Sequence, residues 1–126
     1  MTVKAGLARN AEALYSKRYN DMATQSMDTT TAAGRLQALA NPARLRIYEI
    51  LSQAGDEGMT VGSVQDLVGI NASTLSHHLK TLVLAGLVTQ TRAATSLVCR
   101  PNHDAMDGLF SYLARECRPA PKRKAA

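Results

Sequence analysis

The fold is decided by residues 61–84, which read VGSVQDLVGINASTLSHHLKTLVL. Thr60 precedes this stretch as an N-cap for a short helix whose apolar residues recur at helical spacing. Gly69 can take the left-handed conformation that ends this helix, and Asn71 or Ser73 can cap the next one. The order of helix, tight turn and helix predicts a helix-turn-helix motif.

The second helix of the motif, from about residue 72 to residue 85, has an apolar side and a polar side. At roughly 100° per residue, Leu75, Leu79 and Leu82 fall together on one side. The other side carries hydroxyls, an imidazole and an ammonium near the helix N-terminus, and such groups hydrogen-bond base edges and phosphates. An ordinary solvated helix face has the same polarity, but the preceding helix and turn favour a helix that reads the major groove of DNA. The predicted DNA contacts are Asn71, Ser73, Thr74, Ser76, His77 and Lys80.

Two adjacent histidines on this helix face different directions. His77 lies in the polar stripe, whereas His78 lies at the margin of the apolar one. Neighbouring residues of a helix cannot readily chelate one ion, which disfavours a metal site here. We expect His78 to be partly buried and to orient the helix.

Two further helices are predicted before the motif. The first spans residues 32–40 and ends at Asn41, because Pro42 disfavours the helical conformation in the residue before it. Pro42 suits the first turn of the second helix, which runs to about Ser52 and ends at the glycine cluster of residues 55–58. The expected buried side of this second helix consists of Leu45, Ile47, Tyr48, Ile50 and Leu51.

After Gly86 the pattern alternates as in a β-hairpin. Residues 87–92 and 96–100 are rich in Val, Leu and Thr and flank a turn at residues 93–95. The turn lacks an Asn-Gly or Asp-Gly signal, so the prediction rests on its position after the helix. Arg92 near the tip is predicted to contact phosphate or the minor groove, with an idle exposed arginine as the alternative. The fold class is therefore mainly α with a small β-hairpin wing, a winged helix-turn-helix.

The chain has 126 residues, enough for one compact domain with a hydrophobic core. We expect residues 1–30 to form a partly helical or disordered extension, residues 31–117 the winged domain, and residues 118–126 a basic disordered tail. Four of the five net positive charges lie in that tail, so charge alone is weak evidence for nucleic-acid binding. The tail could alternatively serve as an arm that adds phosphate contacts.

Other functional classes lack their sequence signals. No apolar run approaches the roughly 20 residues of a membrane span, and charges interrupt the apolar stretches near the N-terminus. We therefore expect no membrane association and a cytoplasmic location. The sequence has no nucleophile with a base, no phosphate-binding glycine loop and no paired carboxylates at usable spacing, so we do not expect an enzyme.

Three strings of residues resemble the ArsR family of bacterial winged helix-turn-helix repressors. Residues 36–47 read LQALANPARLRI, residues 72–82 read ASTLSHHLKTL and residues 85–88 read AGLV. The resemblance covers roughly residues 36–113 and implies a homodimer built from the first and last helices. A last helix is expected from about residue 102 to residue 117, and its apolar stripe suits a partner: Met106, Leu109, Phe110 and Leu113. A dimer of this kind is expected to bind an operator with two half-sites about one helical turn apart.

Many members of that family release DNA when a metal or metalloid binds. The cysteine pair of many arsenic sensors corresponds here to Thr60 and Gly62, and the chain has no histidine after His103. Cys99 and Cys117 remain as sensor candidates, which an antiparallel dimer could bring together between subunits. Such a pair could bind trivalent arsenic or another thiophilic ion, or could oxidise to a disulfide or polysulfide bridge. The alternative is that Cys99 is a small buried apolar residue and Cys117 an idle surface thiol.

The predicted function is a sequence-specific DNA-binding regulator of transcription, a repressor, relieved by cysteine chemistry or by no inducer that the sequence reveals. The alternative is a winged-helix protein-interaction module that does not bind DNA. The nearly neutral chain outside the tail favours this alternative, and the intact polar stripe disfavours it. A salt titration separates the two, because DNA affinity falls steeply as salt rises.

Overall fold

The computed structural model describes residues 27–119, which contain five helices and three short strands. In chain order they are α1 (Thr29–Leu39), α2 (Pro42–Ala54), β1 (Met59–Thr60), α3 (Val61–Val68), α4 (Ala72–Leu84), β2 (Val88–Ala93), β3 (Ser96–Pro101) and α5 (His103–Glu116). This order confirms the predicted mainly α fold with a β wing. The predicted N-terminal extension up to residue 26 and the tail from residue 120 lie outside the described residues.

The chain divides into two compact units. The larger unit, Asp28–Met106, contains α1 to β3 and the first residues of α5. In the other unit, the described residues are Met27 and 107–119, which include the rest of α5. Leu109 and Ser111 of this part of α5 are buried. No helix within the described residues is long and apolar enough to cross a membrane.

An apolar core holds the larger unit together. Helices α1 to α4, strands β2 and β3 and the start of α5 contribute to it. Its members are Ala38, Ile47, Tyr48, Leu51, Val64, Leu75, Leu79, Leu82, Leu87, Val88, Cys99 and Ala105. Removing these side chains from water is what fixes α4 against the rest of the unit, because the leucines predicted for its apolar side are all in the core.

Helix α1 begins earlier than the sequence suggested. The Asp28 carboxylate accepts a hydrogen bond from the Thr31 backbone N–H at 2.7 Å, which makes Asp28 the N-cap. The expected start at residue 32 is therefore three residues too late. The physical reason is that an aspartate in this position satisfies an otherwise unpaired N–H of the first turn, so that a helix can begin at the threonine run.

Helix α2 begins and ends where its caps require. The Asn41 side chain accepts from the backbone N–H groups of Ala43 and Arg44, at 2.9 and 3.2 Å. The helix ends before Gly55, whose φ of 82° suits only glycine. Leu45 was expected to be buried but is 43% exposed. It lies two residues before Ile47, and this offset turns it about 200° away from the buried side.

The wing is a three-stranded antiparallel sheet with the strand order β1-β3-β2. Strand β1 was not predicted, and it pairs Met59 with Cys99 and Thr60 with Val98. Strands β2 and β3 were predicted to within one or two residues, and they are joined by a shorter turn, Ala94 and Thr95. Ala94 has a φ of 57°, so a non-glycine residue occupies the left-handed region at the tip of the wing.

Candidate nucleic-acid interface

The helix-turn-helix geometry follows from local caps. The Thr60 hydroxyl oxygen accepts from the Ser63 backbone N–H at 3.2 Å and starts α3, as predicted. Gly69 ends α3 in the left-handed conformation, with φ 73° and ψ 28°, and its N–H donates to the Gln65 carbonyl at 2.8 Å. These bonds set the angle at which the chain enters α4.

Asn71 caps α4. Its side-chain oxygen accepts from the Thr74 backbone N–H at 2.8 Å and from the Ser73 hydroxyl at 3.0 Å. The cap leaves the Asn71 amide NH₂ and the lone pairs of the Ser73 oxygen to interact with a ligand. Both side chains are exposed at the positive end of the helix, where a phosphate is favoured.

A polar stripe runs along the exposed side of α4, and we define it as Ser73, Ser76, His77 and Lys80. All four residues are exposed, whereas Thr74 is half-buried. Opposite them, the three core leucines of α4 are almost completely buried. The stripe therefore presents hydroxyls, an imidazole and an ammonium on a helix whose rotation is fixed by its core side. Within residues 27–119, no protein side chain forms an ion pair with Lys80.

The wing presents two arginines. Arg92 is exposed on β2 near the tip, as predicted, opposite Leu97. The guanidinium of Arg100 on β3 donates to the Thr91 hydroxyl at 2.5 Å, which holds this cation on the wing. Arg100 was not among the DNA contacts predicted from the sequence. The alternation of side chains along the strand could have identified Arg100, because it pairs with Thr89 and lies on the face of the hairpin opposite to Cys99.

His78 is half-buried at the inner edge of α4, as predicted. Its Nδ1 lies 3.4 Å from a terminal guanidinium nitrogen of Arg44, the arginine of the Asn-Pro-Ala-Arg string. Burial, followed by the positive charge of Arg44 and by His77, lowers the pKa of His78 below its ordinary value. His78 is therefore neutral around pH 7. The rings of His77 and His78 are 5.9 Å apart and tilted by 52°.

The two cysteines have different environments. Cys99 has no exposed surface, and its Sγ accepts from the Gln90 amide at 3.5 Å. Burial raises the pKa of the Cys99 thiol, and the Gln90 hydrogen bond offsets part of this effect. Cys117 is exposed. The predicted pairing of the two thiols between subunits stays a prediction, and the burial of Cys99 works against it because the thiolate is the reactive form.

The described residues contain no group of three or more His, Cys, Asp or Glu side chains placed to hold a metal ion. Within this part of the chain, no cluster of such side chains adds ligands to the cysteines. The binding of trivalent arsenic or another thiophilic ion stays a prediction, and it requires a thiol that the ion can reach.

Known proteins resemble this chain over the region just described. A family model for a helix-turn-helix domain matches residues 39–91, which include the whole motif. The nodulation protein NolR of Rhizobium meliloti is 39% identical over 87 residues, or 69% of each chain. The crystal structure of NolR from Sinorhizobium fredii is 30% identical with a TM-score of 0.54, and the match covers 74% of this chain and 97% of that one.

A further solved structure with a similar fold is described as a homodimer. It is the solution structure of the homodimeric winged helix-turn-helix DNA-binding domain of Mb0332 from Mycobacterium bovis, described as a possible ArsR-family transcriptional regulator. The identity is 28% and the TM-score 0.56, and the match covers 75% of this chain and 92% of that one.

Proposed function

Because the chain belongs to the ArsR family of winged helix-turn-helix transcriptional regulators, we propose that it binds duplex DNA as a homodimer and represses transcription. This family consists of DNA-binding regulators and not of enzymes. The observation that carries the proposal is the exposed polar stripe on α4, directly after the Gly69 turn and the Asn71 cap. In this proposal α4 lies in the major groove, with its N-terminal half towards the bases.

The proposed contacts divide into two kinds. Ser76 and His77 lie on the side of α4 that would face base edges, and their side chains offer hydrogen bonds to them. Lys80 and the wing arginine Arg92 are positioned to meet phosphates, with Arg92 near enough to the tip to enter a minor groove. Arg100, held by Thr91, adds a further cation on the wing.

The dimer is proposed from two observations. The similar Mb0332 domain is homodimeric. In this chain, Leu36 of α1 and Phe110 of α5 are 41% and 43% exposed, and both lie on the helices that the family resemblance assigns to the dimer. Two copies related by a two-fold axis would present two α4 helices to an operator with two half-sites about one helical turn apart. We place such a regulator in the cytoplasm, where the DNA of a bacterial cell lies.

The test is DNA binding to the upstream region of the protein's own gene, followed by fluorescence anisotropy as salt is raised. The affinity of the wild-type protein should fall linearly with the logarithm of salt concentration, because counterions are released from the phosphates. Ser76→Ala and His77→Ala should each weaken binding by about 1 kcal/mol. Lys80→Ala should reduce the slope of the salt dependence by about one.

Arg46→Ala is the matched control for Lys80→Ala. It also removes one exposed positive charge, but Arg46 lies on α2 and pairs with Glu49 at 3.3 Å. Its salt slope should stay that of the wild type. If the wild-type protein binds no DNA at low salt, the proposal is wrong and the protein-interaction module becomes the better interpretation. If it binds DNA but the four variants are indistinguishable, the polar stripe is not the surface that contacts DNA.

The thiol response is a separate hypothesis. It predicts that trivalent arsenic or an oxidant weakens DNA binding, and that Cys99→Ser or Cys117→Ser abolishes the effect. The exposure of Cys117 supports its access to such reagents, whereas the burial of Cys99 requires the wing to open first. Equal DNA affinity before and after treatment would reject the hypothesis and leave the repressor proposal intact.

A further inference from the structure

The Arg44 side chain connects three helices of the larger unit. Arg44 lies in the first turn of α2. Its Nε donates to the Ala38 carbonyl at 2.5 Å, and one terminal nitrogen donates to the Gln37 carbonyl at 3.3 Å. Both carbonyls belong to the last turn of α1, where the usual i+4 helical donors are missing. The Gln37 carbonyl also accepts from the Ala40 backbone N–H at 3.3 Å. The other terminal nitrogen lies 3.4 Å from His78 Nδ1 on α4.

The chemistry of this contact favours one tautomer of His78. A guanidinium group can only donate hydrogen bonds, so a hydrogen bond here requires Nδ1 as the acceptor and the ring proton on Nε2. A length of 3.4 Å is long for such a bond, so the contact is weak by itself. The Arg44 guanidinium is, however, held in place by its hydrogen bonds to two carbonyls of α1. The contact therefore restrains the position of His78 relative to α1 and α2.

A protonated His78 does not fit this arrangement. Protonation would place an N–H on Nδ1 opposite an N–H of Arg44, with two positive charges in contact. The charged or titratable groups that act on His78 are Arg44 of α2 and His77 of α4 itself, while α1 presents only backbone carbonyls to Arg44. Within this part of the chain, neither group is an acid that could stabilise an imidazolium.

We propose that Arg44 and His78 form a positioning pair that sets the last few degrees of rotation that the core leucines leave to α4, and that protonation of His78 breaks the pair and weakens DNA binding. This inference rests on the proposed DNA binding. His78 follows His77 directly and precedes Lys80 by two residues on the same helix, so a rotation of α4 that moves His78 also moves the polar stripe. Side-chain tips lie about 5–6 Å from a helix axis, and a rotation of about 10° therefore moves them by about 1 Å. Base contacts tolerate little more than that.

Protonation of the two histidines has opposite effects on DNA affinity. A positive charge on His77 lies on the stripe and strengthens attraction to phosphates. A positive charge on His78 faces Arg44 inside the protein and disturbs the position of the stripe. The experiment therefore uses a His77→Gln parent protein, in which the opposing effect is absent.

The test measures the DNA affinity of the full chain by anisotropy between about pH 5 and pH 8. In the His77→Gln parent, affinity should fall about tenfold as the pH is lowered, which is the loss expected for one hydrogen bond to a charged group. Adding His78→Asn should keep the affinity at neutral pH and remove the fall, because its amide oxygen can accept from Arg44 but does not titrate. Adding His78→Leu should give the low affinity at every pH.

Either of two results would contradict the proposed pair. In the first, the DNA affinity of the protein with His78→Asn falls with pH as that of its His77→Gln parent does. In the second, His78→Leu leaves the DNA affinity of the parent unchanged. Urea unfolding of each variant at both ends of the pH range shows whether it is folded. Combining Arg44→Lys with His78→Leu should add no loss beyond the larger single one, since both remove the same contact. Additive losses would reject the pair.

A second readout does not need DNA. Imidazole nitrogen NMR shifts of the free wild-type protein should show His78 with its proton on Nε2, with the signals assigned by their loss in His78→Asn. A proton on Nδ1 would contradict the pair even if DNA binds. If the tautomer is as expected and no DNA binds, the proposed function fails while the Arg44 contact stands, and the inferred role in DNA affinity is rejected with it.

Discussion

Cys99 and Cys117 should react at very different rates. Cys117 is exposed, whereas Cys99 has no exposed surface and burial raises its thiol pKa. Ellman's reagent on the native protein should therefore modify one thiol rapidly, and the second only after urea is added. The variant Cys117→Ser isolates Cys99 and should show no fast phase. Fast modification of Cys99 in this variant would mean that the wing opens readily, and it would favour the thiol-sensor hypothesis.

The stability of the protein should depend on the protonation of His78. In the unfolded chain this histidine titrates at about pH 6.5, and in the folded protein its pKa is lower. Between the two values the unfolded state binds more protons, so the free energy of unfolding falls as the pH falls through that window. Above about pH 7.5 both states are largely neutral and His78 contributes little pH dependence.

The measurement is urea unfolding of the wild type and of His78→Asn across this pH range. The difference between the two free energies of unfolding should be constant above about pH 7.5 and should shift against the wild type as the pH falls further. Other titrating groups cancel in this difference. If the two free energies of unfolding differ by the same amount at every pH, then folding does not lower the pKa of His78.

At the scale of residues, the sequence predicted which side chains of α4 are exposed but not what His78 touches. Helical periodicity places Ser76, His77 and Lys80 opposite the leucines, and this is a local property of the chain. Arg44 and His78 are 34 residues apart, and their contact depends on how α1, α2 and α4 pack. No local pattern reports such a contact, although the sequence did place His78 at the edge of the core.

At the scale of elements, Gly58 is required for the pairing of β1 with β3. Its φ is 77°, and a Cβ there would lie 2.5 Å from the Cys99 carbonyl oxygen and 2.6 Å from Arg100 Cγ. Gly58→Ala should therefore lower the free energy of unfolding through both backbone strain and the displacement of β3. The strain costs about 1–2 kcal/mol and overpacking a further 1 kcal/mol or more.

Gly69→Ala is the matched control for this substitution. Gly69 has nearly the same φ, 73°, but a Cβ there would meet nothing within 4 Å. Its cost should be limited to the strain of about 1–2 kcal/mol. Urea unfolding of both variants gives the comparison. Equal losses would mean that β3 moves away from residue 58 at little cost and that β1 contributes little to the wing.

The elements that sequence predicted well are those with local signals. Thr60, Gly69 and Asn71 begin or end helices through bonds to residues within four positions of themselves. Strand β1 has only two residues and exists because β3 lies beside it, so it has no pattern of its own. The turn at Ala94 carries no glycine or asparagine, and its left-handed φ follows from the register of the strands around it.

At the scale of the whole molecule, the DNA affinity depends on the proposed dimer. One α4 offers few base contacts, and the larger unit of the chain carries little net charge compared with the tail. Two α4 helices held in one dimer make the second contact effectively intramolecular, which raises affinity without new interactions. Spacing and relative rotation of the two half-sites then matter as much as the identity of the bases.

Moving the half-sites relative to each other should change the DNA affinity of such a dimer, once footprinting has located them upstream of the protein's own gene. Inserting about five base pairs between them turns one half-site by about half a helical turn, so that a rigid dimer can reach only one. Affinity should then fall by about 100-fold or more, towards that of a single half-site. The same insertion placed outside both half-sites should change nothing. If the internal insertion is tolerated as well, the two DNA-reading units are independent and the proposed rigid dimer is wrong.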